Sequence, residues 1–311
     1  MSIRDSGVLP LAESVSTSRS TVLLVTAGVL WGTGGLAGAM LSDRAALDPL
    51  AVAAYRLLLG GGLATIGCAV LGGFRYCWNV AAVLRVLAVG ALLAVFQVAY
   101  YLAVAALSVS LATLLTIGSV PVLVAFASAI ADRAWPTSRV RLAVGVALTG
   151  LVLLCGAGGT DPTSPQTGLG VVLTLCSGAG FASMILLTRQ PVPGLPASTV
   201  TTAGLLTGGL LLLPIALPVG MAIPMTWPVL GIAGFLAAVP TAIAYGAYFT
   251  GSRGATPIAS ALAVLLEPLT AAVLAVVLLG ERLTVGGIVG AALLILALLL
   301  NNLANRAGTG R

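Results

Sequence analysis

The sequence contains no histidine and no lysine. The first absence removes the Ser-His-Asp triad, the common zinc sites and histidine proton relays. The second removes the Walker A loop, and with it a P-loop ATPase within these residues. Charge of either sign is scarce: 7% of the 311 residues, against 59% hydrophobic. A soluble domain carries about a quarter charged residues. A mean hydropathy of +1.15 leaves too few polar side chains to cover a globule in water. Most of the chain therefore faces lipid or buried protein. The four cysteines, Cys68, Cys77, Cys155 and Cys176, have no CxxC or metal-ligand spacing. They read as buried thiols packing as small hydrophobes. No metal site and no cofactor is expected.

What is present is a series of apolar runs. Residues 1–20 are polar and Ser-rich and read as a disordered cytoplasmic tail. Runs follow at 21–40, 49–71, 82–104, 108–130, 139–157, 167–188, 198–219, 227–250, 255–279 and 284–302, and 303–311 form a second tail. A bilayer core takes about 20 apolar residues per helix. Backbone amides in hydrocarbon must pair internally, and the alternation of a membrane barrel is absent. The expected fold is therefore an all-α integral membrane protein of ten transmembrane helices. The end of the first run mimics a signal-peptidase site, but the run is long and is read as a retained helix.

With the amino terminus cytoplasmic, Arg4, Arg19, Arg75, Arg85, Arg133, Arg139, Arg141, Arg189, Arg253, Arg306 and Arg311 fall inside, which is eleven. Arg44 and Arg282 fall outside, which is two. This positive-inside bias predicts a multi-pass cell-membrane protein with both termini cytoplasmic. Trp78 and Trp135 fall near the inner interface and Trp227 near the outer. The net charge of +6 is a topology signal, and no nucleic-acid surface is expected.

The chain also resembles itself. Pro49 and Pro196, Tyr101 and Tyr248, and Pro121 and Pro268 are each 147 residues apart. LLLGGGL at 57–63 pairs with GLLTGGL at 204–210. Residues 21–157 and 167–302 thus form two repeats of five helices, and an odd number of crossings inverts the second. Inverted repeats are the architecture of secondary transporters, which enclose a midplane site and rock to expose it alternately. The pairs Gly28/Gly32, Gly34/Gly38, Gly204/Gly208 and Gly286/Gly290 are read as helix-packing positions.

Residues 255–299 read ATPIASALAVLLEPLTAAVLAVVLLGERLTVGGIVGAALLILALLL. Glu267-Pro268, the turn Gly280-Glu281-Arg282-Leu283-Thr284 and the glycines after it resemble the closing signature of the EamA family of the drug/metabolite transporter superfamily. Trp31-Gly32, and Pro49 followed by Arg56, are companion features in the first half. There the matching turn is degraded to Asp132-Arg133-Ala134-Trp135. The resemblance covers about residues 21–302 and implies a central cavity lined mainly by helices 1 to 4 and 6 to 9, with helices 5 and 10 packed outside. It also implies a carrier that mostly exports amino acids, other small metabolites or drugs.

Glu267 is the only acid inside an expected span. Twelve residues after Ala255, it lies roughly 18 Å along its helix, near the bilayer centre. An unpaired carboxylate there is costly, so it is expected to be protonated or paired. It is read either as a proton-coupling or charge-sensing acid, or as a group bonded at the break made by Pro268. Arg56 is the only base more than three residues inside a span, about 10 Å from the outer end of its helix. It is read either as clamping an anionic carboxylate or pairing with an acid, or as snorkelling to the outer interface or fixing the helix by binding carbonyls, with the structural role slightly ahead. Thr241, Tyr245 and Tyr248 form a stripe on helix 8, Gln97 and Tyr101 lie one turn apart on helix 3, and Trp31 is interior to helix 1. Together they are read as substrate-binding positions that stack on apolar groups and hydrogen-bond an amine or hydroxyl.

The leading expectation is export of amino acids or related polar compounds by alternating access. Alternatives are efflux of lipophilic cations and a non-transporting sensor or scaffold. An intramembrane enzyme is disfavoured, since histidine is lacking and every aspartate is assigned to a tail or loop. The expected partners are a small-molecule substrate and the lipid bilayer. Two fused repeats make a monomer sufficient, with a homodimer possible.

Overall fold

A computed structural model describes residues 17–70, 72, 78–107, 109–155, 165–189, 192, 195–279 and 284–308. The described chain is helical and without a sheet; an isolated bridge joins Val192 and Leu195. The helices are α1 (Thr17–Ala45), α2 (Pro49–Val70), α3 (Val80–Ala106), α4 (Val109–Asp132), α5 (Ser138–Cys155), α6 (Pro165–Arg189) and α7 (Ala197–Val219). They continue with α8 (Trp227–Ala237), a π-helical segment (Ala238–Ile243), α9 (Ala244–Ser252), α10 (Pro257–Ala263), α11 (Leu266–Leu279) and α12 (Val285–Gly308). Helix α1 begins at Thr17, within the expected tail, and α12 runs to Gly308, beyond the expected end of its span. Residues 1–16, Arg75, Cys77 and the turn at 280–283 lie outside the described residues.

Local chemistry sets the helix starts. Pro49, Pro165 and Pro257 occupy first-turn positions, where a missing N–H costs nothing. Asn79 accepts from the Ala82 N–H at 2.8 Å and Thr256 from Ala259 at 3.1 Å, capping α3 and α10. Thr284 accepts from Gly287 at 3.1 Å at the start of α12.

Eight helical stretches of the described chain are long and apolar enough to cross a membrane. Among them, Trp227–Ser252 is continuous through the π-helical segment and Pro257–Leu278 joins α10 to α11. Val285–Leu300 is a shorter apolar helix. The chain is thus a multi-pass membrane protein. Ile66, Leu84, Val277 and Ile288 are exposed on its surface, as lipid-facing positions should be. Trp78, Trp135 and Trp227 are exposed at or beyond helix ends. Cys68 is half-buried, but Cys176 is exposed and lies on the outer face of α6, not in the interior expected for it. In hydrocarbon an apolar thiol loses nothing by facing outward, so the soluble-protein rule misplaces it.

Helix α2 packs on α7, α3 on α6 and α7, α4 on α6, α1 on α9 and α11, and α5 on α12. The glycine contacts fix directions. A Cβ on Gly61 would meet Leu205 and Leu206, and one on Gly209 would meet Leu57 and Leu58, so α2 and α7 are antiparallel. Gly150 faces Leu293 while Gly290 faces Leu153 and Leu154, so α5 and α12 are antiparallel as well. Gly28 and Gly32 bring α1 against Ala263, Leu266 and Glu267, and Gly204 and Gly208 bring α7 against Val89 and Gly90. These pairs do the packing expected of them. Gly34 also seats α1 closely, since a Cβ there would lie 3.1 Å from Pro240, whereas Gly38 meets Val52 only at 3.7 Å; both border open space as well.

Candidate functional site

That space is a cavity of about 330 Å³. Trp31, Gly34, Gly35, Gly38, Ala39, Ser42 and Asp43 line it along α1, a length of about 18 Å at 1.5 Å per residue. It exists because this face of α1 carries almost no side chain: nothing lies within 4 Å of a Cβ built on Gly35. Pro49, Val52 and Arg56 of α2 form the next wall, then Phe96, Gln97, Tyr100, Tyr101 and Val104 of α3. Thr113 and Ile117 of α4, Phe181, Tyr245, Val264 and Glu267 complete it. Asp43 and Pro49 are exposed, so the mouth is where α1 ends and α2 begins. The opposite end is closed by Trp31, Phe181 and Tyr245, each at most 3% exposed. Helices α5 and α12 contribute no lining residue, in keeping with packing outside. Helix α7, expected to line the cavity, contributes none either, because it lies behind α2 and α3.

Glu267 reaches the cavity through a helix break. Pro268 has no N–H, and its ring disfavours a regular turn before it. Helix α10 ends at Ala263, the Glu267 N–H donates to the Val264 carbonyl at 3.0 Å, and α11 restarts at Leu266. Glu267 therefore sits in the first turn of a helix, whose partial positive charge offsets some of the cost of a carboxylate at this depth.

Arg56 faces it within the same cavity. The two interact electrostatically but form no ion pair within 4 Å. Arg56 does not snorkel. Its Nε donates to the Thr241 hydroxyl oxygen and its Nη2 to the Pro240 carbonyl, each at 3.2 Å. Both acceptors belong to the π-helical segment. Pro240 withholds the N–H that the Leu236 carbonyl would accept, and the Thr241 hydroxyl donates to that carbonyl instead, at 2.8 Å. Arg56 thus fulfils the carbonyl-binding role while still lining the cavity.

The expected stripe on helix 8 is split. Tyr245 lines the cavity, but Thr241 is fully buried beneath Arg56 and Tyr248 lies behind the floor. Thr241 lies within the π-helical segment, whereas Tyr245 belongs to the regular helix α9 that follows it. Tyr248 donates to the Ser260 carbonyl at 3.1 Å and packs under Trp31 with ring centroids 4.8 Å apart and ring planes inclined by 44°. Trp31 also meets Tyr245 at 5.1 Å and Phe181 at 5.9 Å. Its indole N–H has no hydrogen-bond partner. Gln97 and Tyr101 line the cavity as expected. Sequence reading missed Phe96, Tyr100, Thr113, Phe181 and Asp43. Phe96 and Tyr100 share a face with Gln97 and Tyr101, and that spacing was the available signal. The Tyr100 and Thr113 hydroxyls bond at 2.7 Å across α3 and α4. Asp43, assigned to a loop, lies in the last turn of α1 and faces the mouth.

A polytopic helical protein with a charged, aromatic-lined cavity open at one end has the form of a membrane carrier. Comparison with known proteins agrees. Two stretches, residues 19–156 and 168–303, match the EamA-like transporter family, and the chain belongs to that family. It is 26% identical over 290 residues to the uncharacterized transporter YwfM of Bacillus subtilis (strain 168), covering 92% of this chain and 94% of that one. Among solved structures, one titled only as the crystal structure of a protein superposes with a TM-score of 0.77. It covers 93% of this chain and 98% of its own at 20% identity, a likeness of fold.

Proposed function

We propose that this membrane transporter is a secondary active carrier that exports amino acids or related amine-bearing metabolites across the cytoplasmic membrane by alternating access. One observation carries the reading: a single cavity holds Glu267 and Arg56 without an ion pair between them. A zwitterion supplies both missing counter-charges, its carboxylate to the guanidinium and its ammonium to Glu267. Small-molecule pockets begin at about 300 Å³, and this cavity is of that size.

Alternating access follows from ten crossings arranged as two inverted five-helix repeats, here residues 21–157 and 167–302. The packing pattern supports this arrangement. Exchanging the halves turns α3–α6 into α1–α9 and α4–α6 into α1–α11, and maps α2–α7 and α5–α12 onto themselves. The antiparallel α2/α7 and α5/α12 pairs support inversion. The eleven-to-two arginine bias supports cytoplasmic termini.

The test is counterflow in proteoliposomes with amino acids, sugars and cationic dyes, with and without a pH gradient. Exchange of an amino acid that requires Arg56 and Glu267 is the expected result. No exchange of any solute would leave a sensor or scaffold. A second reading, efflux of lipophilic cations, is favoured by Trp31, Phe96, Tyr100, Tyr101, Phe181 and Tyr245 gathered near Glu267. Dye exchange that needs Glu267 but not Arg56 would select it.

A further inference from the structure

The closed end of the molecule carries buried polar groups that the outward cavity does not use. Ser20 and Ser260 are 1% and 0% exposed, and neither hydroxyl has a hydrogen-bond partner. Both belong to the side away from the mouth, near the ends of α9 and α10: a Cβ on Gly251 would meet the Ser20 carbonyl at 2.9 Å, and the Ser260 carbonyl binds Tyr248. An orphaned buried hydroxyl is costly, because the water it gave up is not replaced by a partner.

The repeat register gives Ser260 a counterpart. At the offset of 147 that pairs Tyr101 with Tyr248 and Pro121 with Pro268, Ser260 pairs with Thr113. Thr113 lines the open cavity and is bonded to a tyrosine of α3; Ser260 is buried and bonded through its carbonyl to a tyrosine of α9. The same register places Arg189 opposite Ser42 of the mouth. Arg189 donates to the Ser252 carbonyl at 3.1 Å, tying the end of α6 to the end of α9.

We propose that Ser260, Tyr248 and Ser20 line a second vestibule on the closed side, where the Ser260 hydroxyl meets polar groups of the transported solute from a position equivalent to that of Thr113 on the wall of the open cavity. The Arg189–Ser252 bond is the latch that keeps this vestibule shut. The proposal rests on the alternating-access reading and assigns residues to its unseen half.

The test is thiol accessibility, which needs no knowledge of the substrate. In full-length protein with its four cysteines replaced by alanine, Thr113→Cys and Ser260→Cys are made singly. Each is reacted in detergent with a water-soluble maleimide. The expected result is fast labelling at 113 and protection at 260. With Arg189→Gln added, labelling at 260 accelerates and labelling at 113 slows, each by about tenfold. Arg189→Lys, which keeps a donor, retains more of the original pattern. Monodispersity and melting temperature are followed for every variant. Because the Arg189→Gln variant can lose its fold, the same rates are also compared with and without a solute found active in counterflow.

Reciprocal change supports the vestibule. If 113 slows while 260 stays protected, the vestibule assignment is wrong and alternating access stands. If neither rate moves under either perturbation, both fall. If 260 accelerates while 113 remains fast, the molecule opens at both ends, which overturns both.

Discussion

Arg56 and Thr241 form a relay between the cavity and the π-helical segment: the guanidinium donates to the Thr241 hydroxyl oxygen at 3.2 Å, and that hydroxyl donates to the Leu236 carbonyl at 2.8 Å. Thr241 therefore does two tasks, repairing the backbone that Pro240 interrupts and holding the cavity's one guanidinium.

Replacing Thr241 with valine keeps the shape and removes the hydroxyl. The Leu236 carbonyl loses its side-chain donor and the Arg56 Nε loses its acceptor, both in a buried setting. The expected loss is about 1–3 kcal/mol, read as a lower melting temperature of the purified protein. Thr241→Ser restores both bonds and most of the stability. Equal melting temperatures for Thr241→Val and wild type would show that the relay does not stabilise the segment.

Arg56→Lys separates charge from geometry. An ammonium keeps the positive charge but has no planar fork to serve Thr241 Oγ1 and the Pro240 carbonyl together. Counterflow of a zwitterion should weaken mainly through a higher KM, by about tenfold, the worth of 1.4 kcal/mol. Wild-type KM in the Lys variant would mean that only charge matters at this position.

Glu267→Gln is nearly isosteric and leaves the helix break intact, since the Pro268 geometry and the Glu267 N–H bond to Val264 are backbone properties. Folding should be preserved, and transport of amine-bearing solutes should fall by at least about tenfold. Purified yield and melting temperature report the first outcome, counterflow the second. Full transport by Glu267→Gln would remove the carboxylate from the mechanism.

The helices were legible in the sequence because the bilayer allows little else: long apolar runs must be helical. The sequence was also sufficient to find Glu267 and Arg56, since a charge in such a run stands out. What it hid was angular register. Thr241 lies in the π-helical segment at Pro240, for which a sequence read at 3.6 residues per turn has no place, while Tyr245 and Tyr248 share the regular helix α9 and are told apart only by the packing of Tyr248 on Trp31 and Ser260. Asp43 was hidden differently. At the end of α1 it resembles any loop charge, and only the folded chain shows that it lines the mouth of the cavity. Phe181 and Thr113 needed the tertiary fold, since neither belongs to a polar pattern on its own helix.

Trp31→Phe tests the floor of the cavity. The indole N–H has no partner, so its removal should cost little stability while the ring contacts with Tyr245 and Phe181 are largely kept. Counterflow should show a raised KM if a solute supplies the missing acceptor. A melting temperature far below wild type, with transport unchanged, would make Trp31 a packing residue alone.

Two glycines one turn apart on α1 should respond in opposite ways. A Cβ on Gly32 would lie 2.7 Å from the Glu267 carbonyl oxygen, so Gly32→Ala must push α1 away from α11. Overpacking of this kind costs about 1–3 kcal/mol and should lower the melting temperature. At Gly35 a Cβ meets nothing within 4 Å, because it points into the cavity. Gly35→Leu should fold as well as wild type or better, since leaving glycine within a helix gains about 0.5–1 kcal/mol. It should nonetheless stop counterflow, because the new side chain occupies the space between Arg56 and the mouth. A stable Gly35→Leu protein that transports at the wild-type rate would show that solute does not pass along this face of α1.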